Sequence, residues 1–258
     1  RGFKSNGERF IKEAIEKGAI AIVCSKHCSF SHEEIPIIKS TNTRHLLSEI
    51  SSKFYKLKPK NIIAITGTNG KTSIAFYLKS IWKAANISSA SIGTLGIMYQ
   101  NKKIPLNLTT PDPITLHKSI DELKSKGIKN IALEASSHGI EQNRIDSLRI
   151  NRAVFSNLSR DHLDYHGTLD SYFNAKKRLF SEILEINGLA IVNNDCKYGR
   201  IIESFCKRKK IKVFTYGAKK ADWKIHKVIF CNSYSKVYIS VFEKAYTFKC
   251  RLLACYQI

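Results

Sequence analysis

The chain has 258 residues, 43% hydrophobic and 25% charged, which supports one large packed domain or two of ordinary size and excludes disorder as the default. Lys and Arg number 43 against 21 Asp and Glu, a formal net charge of +22 that favours an anionic partner or reflects a Lys-rich composition, since the lysines are spread rather than blocked. No apolar run is long enough to span a bilayer, so a transmembrane helix is excluded. The first residues, Arg1 to Ser5, hold no apolar signal core and no Met, so they read as the cut end of a longer chain. The 7 Cys are scattered, which points to free thiols in a reducing compartment such as the cytoplasm. Cys24, His27, Cys28 and His32 cluster, but no second Cys pair completes a zinc site, and a strand end with its loop accounts for them better.

The first segment alternates helix and strand. Glu8 to Lys17 carries Phe10, Ile11, Ala14 and Ile15 at helical spacing and stops at Gly18. Ala19 to Cys24 is an apolar run typical of a buried strand, and Ile35 to Ile38 is a second short strand. Thr43 to Tyr55 follows as a helix, and Lys56 to Lys60 reads as a linker. A boundary near residue 58 divides a partial N-terminal α/β unit, 1–58, from a central unit, 59–258. The second segment opens with the buried strand Asn61 to Thr66, a Gly turn, and a helix from Thr72 to Ala85. Strands are expected at Asn130 to Ala135, Ala153 to Ser156, Leu189 to Asn193 and Ile211 to Thr215. Helices are expected at Ile114 to Lys126, Leu169 to Ile186 and Tyr198 to Lys209. Strands alternating with helices imply a parallel sheet covered on both faces, hence an α/β fold. Near the end, Trp223 to Phe230, Lys236 to Phe242 and Ala245 to Lys249 form a small antiparallel meander.

Three places carry chemistry. The string Thr66-Gly67-Thr68-Asn69-Gly70-Lys71-Thr72-Ser73 lies between a buried strand and a helix, the setting of a phosphate-binding loop. Its glycines let backbone N–H groups converge on phosphate oxygens, Lys71 reaches the outer phosphates, and Thr72 offers a hydroxyl to Mg²⁺. The loop is a variant, because Ile65 stands where the usual first Gly would be and Gly67 takes that role. A plain Gly turn is the bland alternative.

The second place is Glu134-Ala135-Ser136-Ser137-His138-Gly139 at a strand end, where ligands of open α/β sheets bind. Glu134 is placed to hold a metal, Ser136 and His138 to contact a substrate, and Gln142 and Arg144 to extend that reach toward a carboxylate or phosphate. An ordinary polar loop is the alternative. The next strand end carries Asp161, His162, Asp164 and His166 within a few residues, a set suited to Mg²⁺ and phosphate.

The third place is Lys176. Tyr172, Phe173, Leu179 and Phe180 share its helix face, so it projects from the apolar side. Such a lysine either snorkels or sits as a neutral amine. A neutral amine can take up CO₂ and become a carbamate, a metal-binding anion.

With these residues in hand, the chain resembles the Mur ligase family, ATP-dependent amide-forming enzymes of peptidoglycan assembly, and within it the tripeptide-synthetase branch. The matching stretches are Thr66 to Thr72, Thr109 to Asp112, Glu134 to Gly139 with Gln142 and Arg144, Asn157 to Gly167, and Ala175-Lys176. The resemblance implies that Gly67, Thr68, Asn69, Gly70, Lys71, Thr72 and Ser73 bind ATP. It gives Mg²⁺ to Thr72, Glu134, His162 and Lys176, with Lys176 carbamylated and with Lys71, Lys176 and His162 as the catalytic set. Thr109, Thr110, Ser136, Gln142 and Arg144 would hold a UDP-N-acetylmuramoyl-dipeptide, and Phe3, Lys4 and Ser5 would lie near its uridine nucleotide. A diamino acid, meso-diaminopimelate in preference to lysine, would be the second substrate of a cytoplasmic monomer without membrane or nucleic-acid partner. Leu108 departs from members that have Asn before the two threonines. The resemblance also implies that part of the first domain and a C-terminal Rossmann-like domain are absent, leaving a fragment inactive alone. The rival readings are a folylpolyglutamate-synthetase-like ligase and a non-catalytic basic protein that binds nucleotide or nucleic acid. The latter is opposed by the lack of an aromatic-basic recognition motif.

Overall fold

A computed structural model of the chain describes residues 6–252. A single 3₁₀ turn, Gly7–Phe10, leads into helix α1, Ile11–Glu16. Strands β1, Ile22–Ser25, and β2, Ile37–Ser40, pair in parallel, and helix α2, Thr43–Phe54, follows, with the Asn42 side chain accepting from His45 N–H at its start. Cys24 and Cys28 are buried with Ile11 and Ile22 in a small core beside these elements. Burial and the neighbouring Cys28 raise the Cys24 pKa, so its thiol stays protonated. The two are packing groups here, and among the described residues no cluster of His, Cys, Asp or Glu forms a ready metal cage.

The larger unit begins with β3, Asn61–Thr66, and α3, Lys71–Ala84. Then come β4, Ser89–Gly93, β5, Gly96–Tyr99, β6, Lys102–Ile104, and α4, Pro113–Ser125. Asp112 caps α4 through Thr115 N–H, with Pro113 in its first turn, where a missing N–H costs nothing. Next are β7, Asn130–Glu134, α5, Ser137–Glu141, β8, Ile150–Phe155, α6, Leu163–His166, and α7, Leu169–Arg178. The chain continues through β9, Leu184–Asn193, α8, Lys197–Arg208, β10, Lys212–Gly217, β11, Trp223–Phe230, β12, Ser235–Val241, and β13, Lys244–Cys250.

Among the described residues, β3 to β13 form one sheet in the order β13-β12-β11-β10-β9-β8-β3-β7-β4-β5-β6. The run from β10 to β4 is parallel. Strand β3 lies at its centre, so its Ile and Ala side chains are buried on both faces, which explains a continuous rather than alternating apolar run. The main core gathers Ile62, Ile92, Leu116, Ile120, Ile131, Leu133 and Phe155 on one face, and Ile63, Ile65, Ala75 and Val154 pack under α3 on the other. No helix among the described residues is long and apolar enough to cross a membrane.

One expected element needs correction. The helix expected to run from Leu169 to Ile186 ends at Arg178, passes through a wide turn at Leu179–Ile183, and becomes strand β9 at Leu184. The cause is tertiary: Leu184 pairs with Ile150 of β8, which draws the segment into the sheet. The expected meander is present as β11, β12 and β13, paired antiparallel, and Tyr216 and Gly217 of β10 pair with Trp223 and Lys224 of β11 and carry the sheet into it. Strands β4, β5 and β6 lay outside the expected set. Strand β4 is buried throughout because it lies between β7 and β5.

The N-terminal unit docks on the larger one. Ser48 Oγ donates to Asp146 O, and Ser52 Oγ donates to Ser147 O at 3.0 Å. Asp121 accepts the Leu57 N–H at 2.8 Å, and Lys58 Nζ reaches the buried His117 Nδ1 at 3.1 Å.

Candidate active site

Strands β3, β7 and β8 are parallel neighbours, so Thr66, Glu134 and Phe155 end on the same edge of the sheet. The loop after β3 turns sharply there. Gly67 has φ +145° and Gly70 φ +88°, values that L side chains rarely adopt. A Cβ at Gly67 would also overlap Ser156 Oγ. Thr68 N–H donates to Asn157 O at 2.9 Å and Asn69 N–H to Asn157 Oδ1 at 3.0 Å, which bolts the loop to the end of β8. Lys71 opens α3, and its Nζ donates to Gly67 O at 2.9 Å and Thr68 O at 2.8 Å. Burial lowers the Lys71 pKa, opposed by Glu134 and Asp161.

Glu134 is 2% exposed and sits where α3 meets β4 and β7. Its carboxylate accepts from Thr72 Oγ1 at 2.8 Å, Thr94 N–H at 2.9 Å and Thr94 Oγ1 at 3.2 Å. The space it occupies exists because residue 93 is Gly. A Cβ there would lie 2.5 Å from Glu134 Cγ and closer still to the carboxyl group.

Lys176 is 1% exposed, on α7. Its Nζ donates to Gly67 O at 2.9 Å and stands 4.3 Å from the centre of the Tyr172 ring. Burial, then the charge of Lys71, pushes its pKa down to about 7. A buried ammonium with a carbonyl and a ring for company is not snorkelling, because its head group does not reach bulk water.

The other side of the cleft is built from α5 and the loop before α4. Thr110 Oγ1 donates to Glu134 O at 2.8 Å and lies 3.0 Å from Ser136 Oγ, while Thr109 Oγ1 lies 3.1 Å from Thr94 Oγ1. Arg144 donates to Thr110 O at 2.7 Å and to Gln142 Oε1 at 2.6 Å, and Gln142 Nε2 donates to Tyr165 OH at 3.1 Å. The His138 ring packs 4.1 Å from Tyr165 and 4.9 Å from His162, centroid to centroid.

These elements enclose a polar cleft of about 380 Å³ lined by residues 68–73, Thr94, Thr109, Glu134, Ser136, Ser137, His162, Tyr172 and Lys176. It brings together Thr68 to Ser73, Thr109, Glu134, Ser136, His162 and Lys176 from the expected set, with Gly67 forming the loop behind them. Thr110, Gln142 and Arg144 stand behind or beside Ser136. Phe3, Lys4 and Ser5 lie outside the described residues. Asp161, His162, Asp164 and His166 do not all face the cleft. His162 alone of the four lines the cleft, while the His166 side chain is buried against Ser137 and Glu141. Both histidine rings pack against His138 and Tyr172, and His166 N–H donates to His162 O at 3.0 Å. The expected set omitted Thr94 and Gly93, which fix Glu134, and Tyr172, whose OH meets Thr68 Oγ1 at 3.3 Å.

The donor set suits Mg²⁺. One buried carboxylate, one hydroxyl and one imidazole are hard or borderline ligands, too few for an all-protein cage and typical of a cation that phosphate and water complete. The half-buried Lys71 amine adds positive charge for phosphate oxygens. The arrangement can hold a nucleotide's phosphates and neutralise charge during phosphoryl transfer.

Comparison with known proteins agrees. A family model described as the Mur ligase middle domain matches residues 65–258. The chain is 39% identical over 198 residues to the UDP-N-acetylmuramoyl-L-alanyl-D-glutamate–2,6-diaminopimelate ligase of Brucella melitensis, covering 77% of this chain and 41% of that protein. It is 43% identical over 194 residues to the protein of the same name from Bradyrhizobium diazoefficiens, covering 75% and 40%. It therefore spans about two-fifths of these curated relatives' length. A solved structure of a ligase of that name superposes with a TM-score of 0.83 at 28% identity, over 95% of this chain and 50% of the other. A structure described as an FPGS–AMPPCP complex gives a TM-score of 0.66 at 12% identity over 84% and 59%, a likeness of fold alone.

Proposed function

The chain belongs to the Mur ligase family, and from that membership we propose that it is the nucleotide-binding core of an ATP-dependent ligase. The reaction is addition of a diamino acid, with meso-diaminopimelate favoured over lysine, to UDP-N-acetylmuramoyl-L-alanyl-D-glutamate in the cytoplasm. The observation that carries this reading is the convergence of Lys71, Thr72, Glu134 and Lys176 on one cleft. The names of the curated relatives support the substrates.

In this reading residues 59–258 bind ATP and residues 1–58 face the uridine end of the acceptor. Backbone N–H groups of Gly67 to Ser73 and the Lys71 ammonium hold the outer phosphates. Thr72, Glu134, His162 and Lys176 would hold Mg²⁺, which would neutralise phosphate charge. Lys176 serves as an anion: its neutral amine bonds to the carbon of CO₂, a proton leaves to solvent, and a carbamate remains. Thr109, Thr110, Ser136, Gln142 and Arg144 orient the acceptor. Its D-glutamate carboxylate oxygen bonds to the γ-phosphorus as the bond to ADP breaks, giving an acyl phosphate. The incoming amine then bonds to the acyl carbon, the carbon–oxygen bond to phosphate breaks, and the nitrogen loses a proton. Holding the reactants in line is most of what these side chains do.

The test uses the full-length polypeptide with ATP, Mg²⁺, the UDP-muramoyl dipeptide, and either diamino acid. Amide product with one ADP per turnover supports the reading. Turnover of a folate acceptor in place of the muramoyl nucleotide, or none with either, overturns it.

A further inference from the structure

The net charge of +22 is not gathered at the cleft. In the parallel part of the sheet, β10 to β4, each strand starts on the edge opposite the phosphate loop, and α3 and α8 run back to that edge. Lys60, Lys129, Arg149 and Lys212 are exposed there, just ahead of β3, β7 and β8 and at the first position of β10. Lys83 lies in the last turn of α3, and α8 ends in Lys207 and Arg208 with Lys209 and Lys210 beyond. At about 4.8 Å per strand this row is about 24 Å long. The acids on the same stretches are Glu182, held by Arg178 at 2.6 Å, Glu185, 3.4 Å from Arg149, Glu203, 2.6 Å from Lys207, and Asp121 and Glu122 of α4. Cations prevail along the row.

Two ordinary causes fall short of this pattern. A cation near a helix C-terminus complements the helix dipole, which accounts for Lys83, Lys207 and Arg208 but not for the cations that precede strands. A Lys-rich composition would load both edges alike. On the cleft edge, Arg160 stands beside Asp161 and Asp164 instead, Lys219 and Lys220 share their loop with Asp222, and Asp195 accepts the Lys219 N–H at 3.0 Å.

Two isoleucines stand in the same row. Ile87, 40% exposed, lies between α3 and β4, and Ile186, 89% exposed, protrudes near the start of β9, where the pairing with β8 shifts register. An apolar tip gains by entering the acyl boundary of a bilayer and gains nothing against the phosphates of a nucleic acid. We infer that this edge docks on a lipid bilayer carrying anionic headgroups, with the lysines on the headgroup phosphates and the two isoleucines dipping beneath them. The chain then lies on a membrane without crossing it, in keeping with the lack of a long apolar helix among the described residues. The cleft opens away from the lipid, so docking leaves it free and does not depend on the ligase chemistry. A bilayer surface takes the place of the expected lack of a membrane partner.

Sedimentation of the full-length polypeptide with vesicles tests this. Vesicles of phosphatidylcholine mixed with phosphatidylglycerol should carry the protein down, vesicles of phosphatidylcholine alone should not, and added salt should weaken the binding. The triple variant Lys60→Glu, Lys129→Glu, Lys212→Glu should bind about a hundredfold more weakly, since each Lys near such a surface counts for about fivefold. The matched triple Lys197→Glu, Lys219→Glu, Lys220→Glu makes the same change in net charge on the cleft edge. That edge is about 20 Å away along a strand, beyond the screening length of about 8 Å, so this variant should bind as wild type does. Ile186→Ser should weaken binding about tenfold, at high salt as at low. Circular dichroism checks that each variant is folded, and if a triple variant is not, Ile186→Ser and the two vesicle compositions decide. Failure to sediment with the anionic vesicles, or equal loss in the two triple variants, overturns the inference. So does a DNA duplex bound as tightly as the anionic vesicles while Ile186→Ser changes neither, which would make the row a face for any polyanion.

Discussion

Replacing Gly93 with Ala tests how Glu134 is held. Residue 93 ends β4, directly beside Glu134 on β7, and the new methyl would lie 2.5 Å from Glu134 Cγ and overlap its carboxyl group. Backbone strain is not the issue, since Gly93 is not among the positive-φ glycines. The side chain must swing away and give up the donors at 2.8, 2.9 and 3.2 Å from Thr72 and Thr94. Overpacking costs about 1–3 kcal/mol, and a hydrogen bond to a charged group contributes about 1.5–3 kcal/mol. Because the displaced carboxylate regains some water, a net loss of about 2–4 kcal/mol is expected. Urea unfolding of Gly93→Ala, Glu134→Ala and the double variant measures it. Removing the Glu134 side chain makes room for the added methyl, so the two effects should fail to add by more than about 1 kcal/mol. Affinity for Mg²⁺-ATP, measured by calorimetry, should drop at least about tenfold in Gly93→Ala. Additive effects, or a single variant within about 0.5 kcal/mol of wild type, would refute the packing argument.

Two more outcomes follow from buried basic groups. Lys176→Ala should lower activity of the full-length enzyme by orders of magnitude, with partial recovery on adding a short-chain carboxylate. Lys176→Arg should not substitute, since guanidinium stays cationic, and Lys177→Ala, whose Nζ stands over Phe205 at 5.0 Å, serves as the control. Equal damage at Lys177, or full activity with Arg, would show the carbamate assignment to be wrong. His117 is fully buried beside Lys58, and burial first, then Lys58, pushes its pKa down to about 4. The fold therefore holds the neutral ring. Its stability is intact above the unfolded value near 6.5, falls as pH drops from there toward 4, and levels off below. The loss amounts to about 3 kcal/mol. Urea midpoints at about pH 7 and about pH 4.5 should converge in His117→Leu, and an unchanged difference would place the acid sensitivity elsewhere.

What the sequence made legible was local. The phosphate loop, Glu134 at a strand end and Lys176 on an apolar helix face each sit in a short string whose spacing carries the meaning. The structure places all of them on one cleft. What escaped is what the sheet order assembles. Thr94 and Gly93 meet Glu134 only because β4 lies beside β7, forty residues apart in the chain. Ser137, His166 and Glu141 join through the packing of α6 against α5 and α7, which no periodicity reports. The same packing takes the His166 side chain to Ser137 and Glu141 while His162 lines the cleft. Strand β9 began early for a related reason, because pairing with β8 outweighed the helical pattern at Leu184.

The central claim is that this cleft activates a carboxylate by phosphoryl transfer, and the fate of one oxygen tests it. The muramoyl dipeptide is labelled with ¹⁸O in its D-glutamate carboxylate and turned over by the full-length enzyme with ATP, Mg²⁺ and diaminopimelate. If an acyl phosphate forms over Lys71 and Lys176, one labelled oxygen leaves with each phosphate released, and mass spectrometry finds it in inorganic phosphate. Unlabelled phosphate, or label carried into AMP, would contradict the account.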